Sequence, residues 1–149
     1  MKPILLLLFF TLLSVSAFAQ FPLGSNINKI KSYFAENVPY ASVQEFKAEN
    51  GSNAVCFTKV KVVGDYTFYF DNNGLCNFYI VTYDRKDLKE VVYRFDNKFC
   101  KLFSNKWESP EGLYAVTLVP AKMGENFFSV IYKPMPATLM TGTNALASN

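Results

Sequence analysis

Three cysteines, a few short acidic clusters and a group of tyrosines are the side chains of this 149-residue chain that could do chemistry. Histidine is absent, which removes Ser-His-Asp and Cys-His nucleophile systems and the commonest metal ligand. Cys56, Cys76 and Cys100 lack the spacing of a zinc site or a CxxC redox motif. Their number leaves two alternatives, one disulfide with a free thiol or three reduced thiols in the core. We favour the second, because a chain of this size can fold without a bridge.

The acidic side chains are better explained by local structure than by catalysis. Asp84, Asp87 and Glu90 stand where a helix begins, so they serve as its cap and as partners of its dipole. Residues 71–74, Asp-Asn-Asn-Gly, lack the alternating ligands and distal Glu of a calcium loop and predict a hairpin turn. We therefore predict a protein that is not an enzyme, with no catalytic, cofactor-binding or metal-binding residue.

The tyrosines carry the one feature that points to binding. In the predicted strands 66–70 and 78–83 the side chains of both faces are apolar or aromatic. If helices cover one face, the other would present an aromatic surface for a partner, since tyrosine combines a large ring with a polar tip. The candidate partner-binding residues are Tyr69, Tyr79, Tyr83 and Tyr132. Covering of this face by the C-terminal tail, by loops or by a second copy of the chain is the alternative.

Two helices and seven strands must position these residues. Ser25 is the predicted cap of the first helix, which ends before Pro39, and Asp84 is the predicted cap of the second. The second helix carries one apolar stripe, formed by Leu88, Val91, Val92, Phe95 and Phe99. Alternation and turn residues predict strands at 43–49, 54–63, 66–70, 78–83, 102–108, 114–119 and 127–132.

A shift of the chain against itself by about 61 residues aligns the two helices, a turn glycine and the strands that follow. We therefore predict an α+β fold of two tandem helix-plus-antiparallel-meander units, α-β4-α-β3, which share one antiparallel sheet with both helices on one face. The units would span residues 25–83 and 84–133 of a single domain, residues 20–133. A flexible polar tail, residues 134–149, would follow.

The N-terminus predicts export. Lys2, an apolar run over residues 4–13 and the Ala17-Phe18-Ala19 ending are the parts of a signal peptide, residues 1–19, and the run is too short to span a bilayer. The expected location is periplasmic or secreted, with no stable membrane anchor. The net charge of +3 is scattered along the chain, so no nucleic-acid partner is expected.

Several segments of the sequence resemble known proteins. The Phe-Ala-Gln signal ending, the Leu-Gly-Ser entry to the first helix, residues 69–76 and the strand of Trp107 resemble a group of small exported Bacteroidota proteins of unknown function. At the level of fold, the paired α-β units are similar to the tandem repeats of the beta-lactamase inhibitor protein. That likeness implies an architecture and no chemistry.

These observations lead to one functional prediction and one alternative. We predict a non-enzymatic exported binding module that holds a protein or peptide partner on an aromatic sheet face, or that self-associates there. The alternative is a carrier of a small hydrophobic ligand or lipid, with a cavity between the helices and the sheet. A closed apolar cavity of about 300 Å³ or more would favour the carrier.

Overall fold

The computed structural model describes residues 22–58 and 64–136. The predicted signal peptide, the end of the strand predicted at 54–63 and the tail beyond residue 136 lie outside the described residues. The described part contains two α-helices, α1 (Ile27–Asn37) and α2 (Leu88–Lys98), and a short 3-10 helix, Arg85–Asp87, directly before α2. Its strands are β1 (Ser42–Lys47), β2 (Asn53–Thr58), β3 (Tyr66–Phe70), β4 (Cys76–Asp84), β5 (Cys100–Phe103), β6 (Lys106–Glu108), β7 (Tyr114–Val119) and β8 (Phe127–Pro134).

The strands form one eight-stranded sheet in the order β1-β2-β3-β4-β8-β7-β6-β5, and each named pair of neighbours is antiparallel. The two meanders meet at β4 and β8, the central strands. These two strands are paired from Tyr79 opposite Tyr132 to Asp84 opposite Phe127. The pairing of β4 with β8, which lie far apart in sequence, therefore joins the two meanders into one continuous sheet.

The predicted fold class is wrong. The structure has two helices and one eight-stranded antiparallel sheet, so the architecture predicted as α-β4-α-β3, two helix-plus-meander units with both helices on one face, is not the one that the chain adopts. The strand predicted at 102–108 is two strands, because Ser104 and Asn105 form a turn between β5 and β6. The coarser prediction of an α+β protein with an antiparallel sheet is confirmed.

The N-cap of the first helix lies one residue later than predicted. Asn26, not Ser25, is the N-cap, and its side chain accepts a hydrogen bond from the amide of Lys29. Ser25 is buried and its carbonyl accepts from the amide of Cys76, which ties the entry of α1 to the start of β4. Asp84 caps the short 3-10 helix, where its carboxylate accepts from the amide of Lys86. It is not the cap of α2 as predicted, because the N-cap position of α2 is Asp87, whose side chain makes no cap hydrogen bond.

Each helix packs on its own hydrophobic cluster. Ile30 and Phe34 of α1 pack with Val55, Phe57, Phe68, Phe70 and Cys76. The cluster under α2 contains Val91, Phe95, Phe99, Trp107, Val81, Tyr83, Val116, Leu118, Phe128, Val130 and Tyr132. Tyr66 and Tyr79 pack against both clusters and join them. We call the sheet side that contributes to these clusters the core face, and the opposite side the outer face.

The tip of the β3–β4 hairpin is confirmed as a turn. Asp71 Oδ1 accepts hydrogen bonds from the amides of Asn73 and Leu75, each at 2.9 Å. Gly74 has φ of 74°, a conformation that favours glycine. The turn fixes the hairpin whose register decides where the tyrosines point.

Candidate functional site

The four candidate tyrosines do not share one face. Tyr79, Tyr83 and Tyr132 belong to or pack against the α2 cluster on the core face. Tyr69 has the opposite parity to Phe68, a core residue, and lies on the outer face. The structure therefore brings three of the four together inside the protein and separates the fourth from them.

The three core-face tyrosines form a packed aromatic group. The rings of Tyr79 and Tyr132 stack with their centroids 4.4 Å apart, and Tyr83 stacks on Phe128 at 5.3 Å. Tyr83 and Tyr132 keep only 6% and 9% of their surface exposed. Burial raises the pKa of Tyr79 and of Tyr132 well above the ordinary value, because the charged phenolate loses its hydration.

A single β-bulge explains the separation. Phe70 pairs with Cys76, whereas its neighbour Tyr69 pairs with Phe78, so the register shifts by one residue and Asn77 is the extra residue of β4. Without this shift Tyr79 would have had the parity of Tyr69. A shift of one residue moves every later side chain of a strand to the other face.

The outer face carries a different set of residues. The rings of Tyr69 and Phe78 stack there at 4.4 Å with an angle of 9° between their planes. Two residues further along these strands, a row crosses the outer face through directly paired residues, in the order Cys56, Thr67, Ile80, Ile131 and Thr117. All the side chains of this row are half-buried, and among the described residues no helix or second sheet packs over them.

Sequence reasoning missed Phe78, Ile80 and Ile131 as members of this surface. Their alternation along each strand was visible, but the cross-strand register was not. The one available signal was Asn77, a polar residue between Cys76 and a run of apolar side chains. A bulge places such an extra residue outside the regular pairing.

Two concave sites lie near the helices and the sheet edge. A cleft of about 250 Å³ is lined by Pro22, Tyr33, Phe34, Val38, Tyr66, Phe68 and Tyr79. A second groove, of about 450 Å³, has a mixed lining that includes Glu45 and Lys47 beside Phe46 and Phe70. Both are open to solvent. The volume of the aromatic cleft is below the lower limit of ligand pockets, which is about 300 Å³.

All three cysteines are free thiols. Cys76 is buried under α1, and burial raises its pKa to about 12. Cys56 is half-buried on the outer face, where the Thr67 hydroxyl lies 3.4 Å from its sulfur, and Cys100 is exposed. The described residues contain no group of three or more His, Cys, Asp or Glu side chains that could hold a metal ion.

Within residues 22–58 and 64–136, neither helix is long and apolar enough to cross a membrane. Comparisons with protein-family models, with curated proteins and with solved structures find no match for this chain. The resemblances noted in the sequence, to exported Bacteroidota proteins and to tandem α-β repeats, therefore stay predictions.

Proposed function

We propose that this protein is a non-enzymatic exported binding module that holds a protein or peptide partner on its outer sheet face. The observation that carries the proposal is the outer row itself. Ile80 and Ile131 are paired across the two central strands, half-buried, and without a covering layer among the described residues. A partly exposed apolar sheet surface of this kind favours interaction with a partner.

The chemistry of the face favours a flat, uncharged protein surface as the occupant. Thr67 and Thr117 flank the two isoleucines, so the centre of the row presents short side chains and no charge. Flat sheet faces pack against other flat surfaces at about 10 Å separation. A strongly charged partner would find no opposite charge in the centre of the row.

The size of the face suits this role. Eight strands about 4.8 Å apart and about six residues long give a surface on the order of 800 Å². That is close to the about 800 Å² that each partner contributes to a standard protein interface. The Tyr69–Phe78 pair extends the apolar surface toward the β3–β4 hairpin and supplies the aromatic side chains typical of interface centres.

The test is a capture experiment with surface variants. Tagged wild-type protein is incubated with the envelope and secreted fractions of the source cells, and the retained species is purified and titrated against the tagged protein. Ile131→Lys places a charge in the centre of the face and should weaken binding at least tenfold. Tyr93→Lys, on an exposed position of α2, is the matched control and should bind normally.

Binding that survives both Ile131→Lys and Ile80→Lys would refute the outer face as the binding surface. Circular dichroism of each variant checks that the fold is retained. Elution of a second copy of this chain as the retained species would identify self-association on the same face.

The carrier function is the second candidate. The aromatic lining of the cleft beside α1 favours it, although the cleft is open and, at about 250 Å³, smaller than the closed cavity that this function predicts. Its lining of three tyrosines and two phenylalanines suits an apolar ligand. Organic extraction of the purified protein, followed by mass spectrometry, would detect a co-purified lipid at about one per chain. An empty extract from protein made in its native export pathway would contradict this function.

A further inference from the structure

A groove of about 300 Å³ lies at one end of the outer face, between the tips of the β1–β2 and β3–β4 hairpins. Its apolar part is the Tyr69–Phe78 stack, and its polar part comes from Asn50, Ser52, Asp71, Asn72 and Asn77. We propose that this groove binds a neutral saccharide. The proposal goes beyond the proposed function, because it concerns the groove at the end of the face, which shares the Tyr69–Phe78 pair with the protein-binding face but not the Ile80–Ile131 row, and either can fail alone.

The polar lining consists mainly of carboxamides. Asn72 and Asn77 are exposed, and no hydrogen bond within the described residues engages their side chains. A carboxamide has two donors and an acceptor with two lone pairs, so it can bind a hydroxyl group in either direction. Neighbouring hydroxyls of a sugar ring present donors and acceptors side by side, which matches this lining.

The remaining polar groups are held in place by their own turns. Asn50 Oδ1 accepts from the amide of Ser52 at 3.1 Å and from its hydroxyl at 2.7 Å. Asp71 Oδ1 accepts from the amides of Asn73 and Leu75. Each side chain is fixed through one oxygen, so the second polar atom of each, the Asn50 amide nitrogen and Asp71 Oδ2, is oriented without further loss of entropy.

The aromatic pair supplies the apolar contact. A sugar ring has a face of C–H groups, and such a face packs on an aromatic ring, whose π face carries negative charge. Tyr69 and Phe78 are half-buried and fixed by stacking on each other. A volume of 300 Å³ lies at the lower end of the range for ligand pockets, which fits one or two sugar rings.

Other ligand classes suit the groove less well. No lysine or arginine is among the described residues that line it, so a phosphate or carboxylate would lack a cation and would meet the Asp71 carboxylate. An extended peptide binds by adding to a sheet edge, whereas Tyr69 and Phe78 belong to interior strands of the sheet. A purely apolar ligand would leave the carboxamides without partners.

The experiment titrates the isotope-labelled protein with neutral hexasaccharides built from glucose, mannose, galactose, xylose or N-acetylglucosamine. We expect at least one of them to shift the side-chain amide signals of Asn72 and Asn77 saturably, with a Kd of about 1 mM or tighter. Asn77→Ala and Tyr69→Ala should weaken this binding at least tenfold, while Tyr69→Phe retains it because the ring is kept. Tyr93→Ala on α2 is the matched control and should bind normally.

If none of the hexasaccharides causes saturable shifts, the proposal is overturned. Unchanged binding by both Asn77→Ala and Tyr69→Ala would also overturn it. A glycopeptide carrying the same sugar, titrated in parallel, distinguishes a protein-borne glycan from a free oligosaccharide, and binding of either supports the site. Ile131→Lys should leave the saccharide shifts intact, so a failure of the protein-binding proposal is recognised separately.

Discussion

The indole Nε1 of Trp107 donates a hydrogen bond to Asp96 Oδ1 at 2.7 Å. Trp107, on β6, is fully buried, whereas Asp96 lies on the exposed side of α2. The other carboxylate oxygen, Oδ2, accepts from Lys101 Nζ of β5 at 2.9 Å. One carboxylate therefore ties α2 to the two strands at the end of the sheet, where β5 is an exposed edge.

Asp96→Ala should destabilise the protein more than Asp96→Asn. The asparagine variant keeps an oxygen that can accept from the indole, and the alanine variant removes it. Leaving the buried indole N–H without an acceptor costs about 1–3 kcal/mol. Urea denaturation at pH 7 compares the two midpoints, and equal midpoints would show that the hydrogen bond does not support the fold.

Asp96 should also contribute to the loss of unfolding free energy at acid pH. Hydrogen bonds from Lys101 and Trp107 hold the pKa of Asp96 below its ordinary value in the folded protein. A depressed folded pKa gives a contribution that is full above the unfolded value, about 3.9, and is lost as the pH falls through the folded pKa. The stability difference between wild type and Asp96→Asn should therefore shrink as the pH falls below about 4. A difference that stays constant down to pH 2 would contradict this assignment.

Phe95→Ala should cost about 3–5 kcal/mol of unfolding free energy, because it leaves a cavity under α2. Phe95 is 6% exposed and makes edge contacts with Trp107 and Phe99, with ring centroids 5.4 and 5.5 Å apart. Tyr93→Ala, on the exposed side of the same helix, is the control and should change stability by less than about 0.5 kcal/mol. Equal denaturation midpoints for the two variants would mean that the stripe does not carry the packing of α2.

Local patterns in the sequence predicted the elements better than their arrangement. The apolar stripe of α2 follows from apolar residues spaced three and four positions apart. The turn at Asp71 follows from a side chain that binds the neighbouring backbone. Both patterns are local, so both could be predicted from the sequence. The division of residues 102–108 into β5 and β6 was not predicted, although Ser104 and Asn105 favour a turn, because each flanking strand is only three or four residues long and pairing with β7 fixes β6. Joining β4 to β8 depends on contacts between distant parts of the chain.

The candidate site shows the same limit. The sequence predicts the alternation within β3 and β4 correctly, but whether Tyr69 and Tyr79 share a face depends on one bulged residue, Asn77, which places them on opposite faces. Strand alternation fixes which residues of one strand share a face and leaves the register to its neighbour open. Tyr69 consequently lies on the outer face, whereas Tyr79 packs against the core.

The buried tyrosines should make the protein sensitive to alkali. Burial, with smaller effects from the neighbouring Tyr83 and Tyr33, raises the pKa of Tyr66 to about 12, and burial raises that of Tyr79 and Tyr132 well above the ordinary value. A raised folded pKa gives stability that is full below the unfolded value, about 10, and is lost as the pH rises through the folded value, at about 1.4 kcal/mol per pH unit for each group.

The denaturation midpoint should therefore fall between pH 10 and 12, and tyrosinate absorbance at 295 nm should rise for these rings only as the protein unfolds. Tyr132→Phe removes one ionisable group and should flatten the loss of stability. Reversible ionisation of all nine tyrosines near pH 10 with the fold intact would refute the buried placement.

The three thiols should react with a disulfide reagent at three different rates. Thiolate is the reactive form, so exposure and a low pKa favour reaction, and burial opposes it. Cys100 is exposed and should react first, Cys56 is half-buried and should follow, and Cys76, with its pKa raised to about 12 by burial, should react only on unfolding. Cys100→Ser should remove the fast phase and leave the other two unchanged. In urea all three thiols should react with the reagent. A single reactive thiol per chain under those conditions would show that the other two cysteines form a disulfide.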